Sequence, residues 1–460
     1  MNLNKRRLTF ILLLCIGCRL AFFGAVHPWI PEIERDVVLR GDSQYYDKLA
    51  NTFLESHRFA YSNTGRPDAL RTPLYPLFVA GVYSLFGHAP WIVLLFQVIL
   101  DSLSCLLLAI TLARLVAPRV ALIAALFYAV DPFLILYSSE FLSEILFVFF
   151  LVCAFYILST GISAGSEKWR ALGYSLGGLV LGLATLVRPV SRYVPVFLVI
   201  FLLSRYRSAP RAALRYAVLA LALFVLALTP WLIRNAEVFG NPFISTFDSY
   251  NLLVLNVVPL EREKRGLDSG TVKQQLLSEA DSMMAAEGKN PEGWNQLERA
   301  AYWRRLAIRY IEANPVGFAR FYFLGVIQSF WNLGTSEFAR VLRIQLTPFD
   351  IKAYSNITKL ARGFLKAKGT RGFVIAALAF PFLLISYIGM AVGLVVSWKR
   401  YDRGVLLLCL LFALYFVLIT GIAGLARFRL PSIPFYLAFV GIGFDYLFER
   451  RTTRTPRGHR

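Results

Sequence analysis

Three groups of charged residues stand among apolar residues with spacings that suit chemistry. The first is Arg40-Gly41-Asp42-Ser43, where Gly41 permits a turn and Asp42 precedes a helical pattern over 44–56 with Tyr45, Leu49 and Phe53 on one face. Asp42 reads either as a helix N-cap or as a general base that takes the proton of a hydroxyl nucleophile held within hydrogen-bond reach. The second is Glu140 with Glu144, an i,i+4 pair on one helix face at the mouth of an apolar run. No basic neighbour in sequence neutralises them, so they read as a solvated helix start or as the lining of a polar cavity. The third is a set of arginines, Arg71, Arg188, Arg192, Arg234, Arg427 and Arg429, each at the end of an apolar run. One alone would snorkel to lipid head groups. Several at one membrane face suit a shared phosphate, which guanidinium binds through paired hydrogen bonds.

The elements that must position these residues are membrane spans. Windows of about 20 apolar residues predict ten, at 8–26, 89–114, 119–137, 141–160, 171–187, 192–204, 216–234, 372–397, 404–422 and 430–448. The chain is then an all-α polytopic membrane protein. The first run follows Lys5, Arg6 and Arg7 and has the look of a secretory signal, but Arg19 and further apolar residues continue it as an uncleaved anchor. With the N-terminus inside, the segments around Lys5, Arg114, Lys168, Arg205, Lys399 and Arg450 carry nineteen basic residues on the inner side, and the outer turn 131–140 carries none. That is the positive-inside pattern. It leaves 27–88 and 235–371 outside. The chain divides into an N-terminal catalytic module 1–234 that includes the loop 27–88, an outer helical region 235–371, and C-terminal spans with a basic tail, 372–460. Residues 317–334 would invert everything after them if they crossed. The run is short and holds Arg320, Gln328 and Asn332, so it reads as an interfacial or re-entrant helix. Two further helices are expected in the outer segments, over 74–86 and 295–313.

Composition excludes other classes. Of 460 residues, 57% are hydrophobic and only 17% charged, too apolar for a soluble chain of this length to bury. The net charge of +21 is accounted for by topology and by the outer arginines, so no nucleic-acid partner is expected. Cys15 and Cys18 sit inside an apolar helix without partners for redox or metal chemistry. No P-loop or dinucleotide glycine pattern occurs. Arg19 and Asp101 are the main charges inside the spans; they could pair with one another or line a path through the bilayer.

The run Gly41-Asp42-Ser43-x-x-Tyr46 followed by Arg71-Thr72-Pro73-Leu74-Tyr75-Pro76 resembles the first outer loop of C-type glycosyltransferases, in the bacterial protein-mannosyltransferase/aminoarabinose-transferase-like branch. Further marks follow in order: Ser143-Glu144, Val187-Arg188-Pro189, Thr229-Pro230-Trp231-x-x-Arg234-Asn235 and Ala426-Arg427-Phe428-Arg429-Leu430-Pro431. The resemblance implies a transferase of the bacterial cytoplasmic membrane. It would use a polyprenyl-phosphate-linked sugar on the outer face, with a lipid, glycan or protein hydroxyl as acceptor and with inversion. It implies Asp42 as the catalytic carboxylate with Glu144 beside it, and the spacing itself keeps Glu140 as a third candidate. Arg71, Arg427 and Arg429 would meet the donor phosphate, with Arg188 and Arg234 behind them. Relatives often carry Asp-Glu in the first loop; here Ser43 follows Asp42, which leaves a divalent cation open as a cofactor. Two other readings compete: a flippase for a lipid-linked glycan, and a polymerase or ligase using a lipid-linked oligosaccharide.

Overall fold

The computed structural model describes residues 3–61, 65–290, 295–345, 357–420 and 424–454. Among them the chain is helical, with one isolated bridge between Ala60 and Pro67. Part of the expected outer region, 346–356, and the C-terminal arginines Arg457 and Arg460 lie outside the described residues.

Proline sets many of the helix starts. Pro90, Pro118, Pro132, Pro210 and Pro315 each occupy a first-turn position, where the missing N–H has no intrahelical partner to lose. Eight described helices are long and apolar enough to cross a bilayer: Lys5–Val26, Pro90–Leu115, Glu144–Ile162, Glu167–Val187, Pro210–Phe239, Gly372–Ser397, Arg403–Thr420 and Ala426–Arg450. A ninth crossing is broken. Pro118–Ala129 and Pro132–Ser138 meet at 54°, because Pro132 cannot continue the first helix and the Asp131 carboxylate caps the second by accepting from Phe133 N–H and Leu134 N–H.

The expected span at 192–204 is shorter than a span-length helix. It is a 3-10 segment Pro189–Tyr193 followed by the 12-residue helix Val194–Arg205. The chain must nonetheless cross here. Glu167–Val187 and Pro210–Phe239 run parallel: Glu167 pairs with Arg215 near both starts, Gly178 lies against Ala220 and Gly182 against Phe224. A methyl group at Gly178 would overlap the Ala220 carbonyl, so the two backbones touch. Two parallel neighbours need a return between them. The two short helices together rise roughly 28 Å, close to the hydrocarbon thickness.

One end of the bundle collects the basic inner segments. Arg205 pairs with Asp402 and Arg400 with Glu449, at 2.7 and 2.8 Å. The opposite end holds the segments expected to lie outside. There Asp42–Ser56 and Leu74–Phe86 pack together. Ser269–Ala286 and Gln296–Ala313 share a small second core around Val272, Leu276, Trp303 and Leu306. The helix Pro315–Trp331 keeps both halves at this outer end. Its Tyr322 donates to the Leu418 carbonyl, and Asn332, just past its end, donates to that of Gly424 at 2.8 Å.

Arg19 and Asp101 are fully buried and pair at 2.5 Å. Arg19 also donates to the carbonyls of Cys15 and Ala129, and Tyr128 donates to Asp101. Removing one partner strands the other charge. Arg19→Leu is therefore expected to cost about 3–5 kcal/mol and to lower the apparent melting temperature in detergent, with Arg19→Leu/Asp101→Leu recovering most of the loss. A single variant that melts like the parent would show that the pair does not hold the first helix to the bundle.

Candidate active site

Gly41 has φ +66°, a left-handed conformation that favours glycine, and it turns the chain so that Asp42 opens the helix Asp42–Ser56. The Asp42 carboxylate does not cap that helix. Its Oδ1 accepts from Arg71 Nη2 at 2.7 Å and its Oδ2 from Arg427 Nη1 at 3.0 Å. The side chain is 34% exposed, so a substrate can reach it. Burial pushes the carboxyl upward, but the charges of Arg71 and Arg427 and their hydrogen bonds outweigh this and hold it at about 2.

Arg71 is fixed from several sides. Its backbone N–H donates to Asp68 Oδ1 at 3.0 Å, and the next residue, Thr72, donates its hydroxyl to the Val187 carbonyl at 2.9 Å. Its guanidinium lies over the rings of Tyr45, Tyr46 and Phe247, at 5.5, 5.1 and 4.2 Å from their centroids, a geometry that favours the cation. Asp68 is fully buried. Burial raises its carboxyl, against hydrogen bonds from Tyr45, from Arg71 N–H and from Gln296. None of Asp68, Phe247 or Gln296 carries a local sequence signal. Their role arises because residues 68–71 fold against 244–247 and 296, where Thr246 N–H donates to the Ala69 carbonyl at 3.0 Å.

Glu144 opens its helix and is 2% exposed. Arg188 Nη1 stands 2.5 Å from its Oε1, at an angle that leaves both carboxylate oxygens without a hydrogen bond. Arg188 also donates to Ser143 Oγ at 3.2 Å, which in turn meets Tyr46 Oη. Asp42, Arg71, Glu144, Arg188 and Arg427 thus line one cavity of about 710 Å³. Arg192 lines it too, paired with Asp248 from the far outer segment.

Three expected site residues are turned elsewhere. Glu140 is buried against Arg340, whose other nitrogen donates to the Val37 carbonyl at 3.1 Å. Arg234 donates to the carbonyls of Asp68 and Phe59 at 2.8 and 3.0 Å. Arg429 is fully buried and donates to the carbonyls of Ser329, Phe330 and Asn332, at 2.7 to 3.2 Å. These are carbonyls of the last turn of Pro315–Trp331 and of its C-cap Asn332, which lack helical partners. Its guanidinium also lies 4.1 Å over the Phe133 ring. Within the late motif the cavity is lined by Arg427, Phe428 and Pro431, while Arg429 fastens the outer helix.

The residues present do not suit a divalent cation. Both Asp42 oxygens accept from guanidiniums and Glu144 faces another. Among the described residues no three His, Cys, Asp or Glu gather. Hard cations take about six oxygen ligands, and the arginines here would repel one.

Residues 70–233 match the family described as dolichyl-phosphate-mannose-protein mannosyltransferase. That stretch takes in Arg71, Glu144 and Arg188. No curated protein matches the chain. Among solved structures, the Archaeoglobus fulgidus oligosaccharyltransferase in complex with Zn and sulfate is similar with a TM-score of 0.55 at 13% identity, over 97% of this chain and 50% of that one. The oligosaccharyltransferase AglB from Archaeoglobus fulgidus with an inhibitory peptide and a dolichol-phosphate gives 0.52 at 17%, over 99% and 52%. ArnT from Cupriavidus metallidurans bound to undecaprenyl phosphate gives 0.44 at 14%, over 97% and 78%. The chain spans about half the length of the oligosaccharyltransferase structures it matches.

Proposed function

We propose that this chain, a polytopic membrane protein with the fold of the C-type glycosyltransferases, moves a sugar from a polyprenyl-phosphate donor to an acceptor hydroxyl. The observation that carries the reading is Asp42 held between Arg71 and Arg427 in a cavity at the outer end of the bundle. A carboxylate suits a proton acceptor, and a pair of guanidiniums suits a leaving phosphate. The opposite end carries the basic inner segments, which supports a cavity on the extracytoplasmic face of a bacterial cytoplasmic membrane.

In the reaction, the acceptor oxygen attacks the anomeric carbon from the face opposite the phosphate. The bond from carbon to phosphate oxygen breaks as the new glycosidic bond forms, so configuration inverts. The electron pair leaves on the polyprenyl phosphate, where Arg71 and Arg427 neutralise it, and the hydroxyl proton passes to Asp42. The donor phosphate competes with Asp42 for the same two guanidiniums. Its arrival loosens the carboxylate from them and restores basicity at the moment a base is needed. Glu144, fixed beside Arg188, orients the acceptor. Tyr45, Tyr46 and Phe247 keep the Arg71 fork aimed at the phosphate.

The test is the purified protein with one defined polyprenyl-phosphate sugar and a panel of lipid, glycan and peptide acceptors, its products weighed by mass spectrometry. The expected result is free polyprenyl phosphate in equal amount with an acceptor heavier by one sugar. Movement of the intact donor across a vesicle membrane, or transfer only of a preassembled oligosaccharide, would overturn it.

A further inference from the structure

A second cavity, of about 900 Å³, opens at the other end of the bundle, between the helices Lys5–Val26, Pro118–Ala129 and Ile433–Arg454. Its rim is charged and its wall is apolar. Arg6, Arg7 and Arg119 stand with Asp445 and Glu449 at the rim, and Phe10, Leu126 and Phe448 lie below. Those three apolar side chains are 65, 40 and 54% exposed, as suits surface that meets hydrocarbon rather than protein.

The charges are not used up internally. Glu449 is engaged by Arg400 at 2.8 Å. Arg119 and Asp445 are near enough for each charge to act on the other. Yet among the described residues no side-chain ion pair joins Arg6, Arg7, Arg119 or Asp445 to any partner. The helix at Pro118 adds to this. Its N-cap is Ala117, which offers no side-chain acceptor, so the N–H groups of its first turn, which includes the rim residue Arg119, have no side-chain cap.

We infer that this groove binds one phospholipid whose head group carries both a phosphate and a primary ammonium. The phosphate meets Arg6, Arg7, Arg119 and the free N–H groups, the ammonium donates to Asp445, and an acyl chain lies along Phe10, Leu126 and Phe448. A purely anionic head would leave Asp445 facing negative charge. A quaternary ammonium would have no N–H to donate to it. The groove is at the inner end, apart from the cavity of Asp42, so the inference stands without the transferase reading.

Native mass spectrometry of the full chain tests it, with one defined lipid supplied at a time: palmitoyl-oleoyl phosphatidylethanolamine, phosphatidylglycerol or phosphatidylcholine. The parent protein is expected to retain phosphatidylethanolamine most strongly. Arg6→Ala, Arg7→Ala and Arg119→Ala are each expected to weaken that retention roughly fivefold, the increment for one basic residue at a lipid surface. Asp445→Asn is expected to erase the preference for phosphatidylethanolamine over phosphatidylglycerol while both remain bound. The ranking of lipids by the parent protein needs no variant to fold. The inference is overturned if the parent holds phosphatidylglycerol or phosphatidylcholine as tightly as phosphatidylethanolamine, or if the three arginine substitutions together leave retention unchanged.

Discussion

Asp42→Asn is expected to lower kcat by about 10²–10⁴-fold, the range that a positioned general base supplies, and to leave the protein folded. Asparagine keeps the shape of the side chain and still accepts from Arg71, but it cannot take the acceptor's proton. The comparison is between purified parent and variant with saturating donor, with equal melting temperatures as the control. Turnover near the parent rate would remove Asp42 as the base. The pH profiles carry a second, signed expectation. With Arg71 and Arg427 on it, the carboxyl sits at about 2 and stays ionised at any higher pH. In kcat/KM, which reports the free enzyme, Asp42 therefore produces no acid limb in the working range. In kcat, which reports the complex, the donor phosphate has taken the two guanidiniums, and the carboxyl returns toward the ordinary range near 3.9 or above it. The acid limb of kcat is thus expected at higher pH than that of kcat/KM. Coincident limbs would show that the phosphate does not displace Asp42 from its arginines.

Arg71→Lys, nominally conservative, is expected to cost about 10²–10³ in kcat, the loss seen when one donor to a developing oxyanion is removed. The charge remains, but the geometry does not. The guanidinium reaches Asp42 while its plane lies among Tyr45, Tyr46 and Phe247. An ammonium offers neither the fork nor the flat face. Because the interaction strengthens as charge builds on the leaving phosphate, the loss should fall on kcat more than on KM. A variant that raises KM alone would assign Arg71 to ground-state binding of the donor.

How much of this was legible in the sequence divides along physical lines. Spans are legible because lipid demands long apolar runs with satisfied backbones. The short run at 192–204 extends back to Pro189, as its length suggested, since its first turn is 3-10 and lines the cavity through Pro189, Val190 and Arg192. Asp42, Arg71, Glu144 and Arg427 are legible because charge at an apolar boundary is costly unless used. What sequence could not tell is where each guanidinium points. Arg427 and Arg429 are two residues apart, yet one meets Asp42 and the other closes the end of Pro315–Trp331. Glu140 has no neutralising neighbour along the chain because its partner, Arg340, lies 200 residues away. Such pairings belong to the tertiary fold, and no local spacing encodes them.

The cavity of Asp42 has a charge tally with a consequence for turnover. Arg71, Arg188, Arg192 and Arg427 face three carboxylates, those of Asp42, Glu144 and Asp248, which leaves one positive charge over. A sugar-linked polyprenyl phosphate is a diester with a single negative charge and balances it. The product is a monoester with up to two negative charges at neutral pH, and it over-satisfies the same walls. In the proposed reaction the cavity would therefore hold the product phosphate more firmly than the next donor. Free polyprenyl phosphate should inhibit by competing with the donor, and more strongly as pH rises through the second ionisation of its phosphate at about 6.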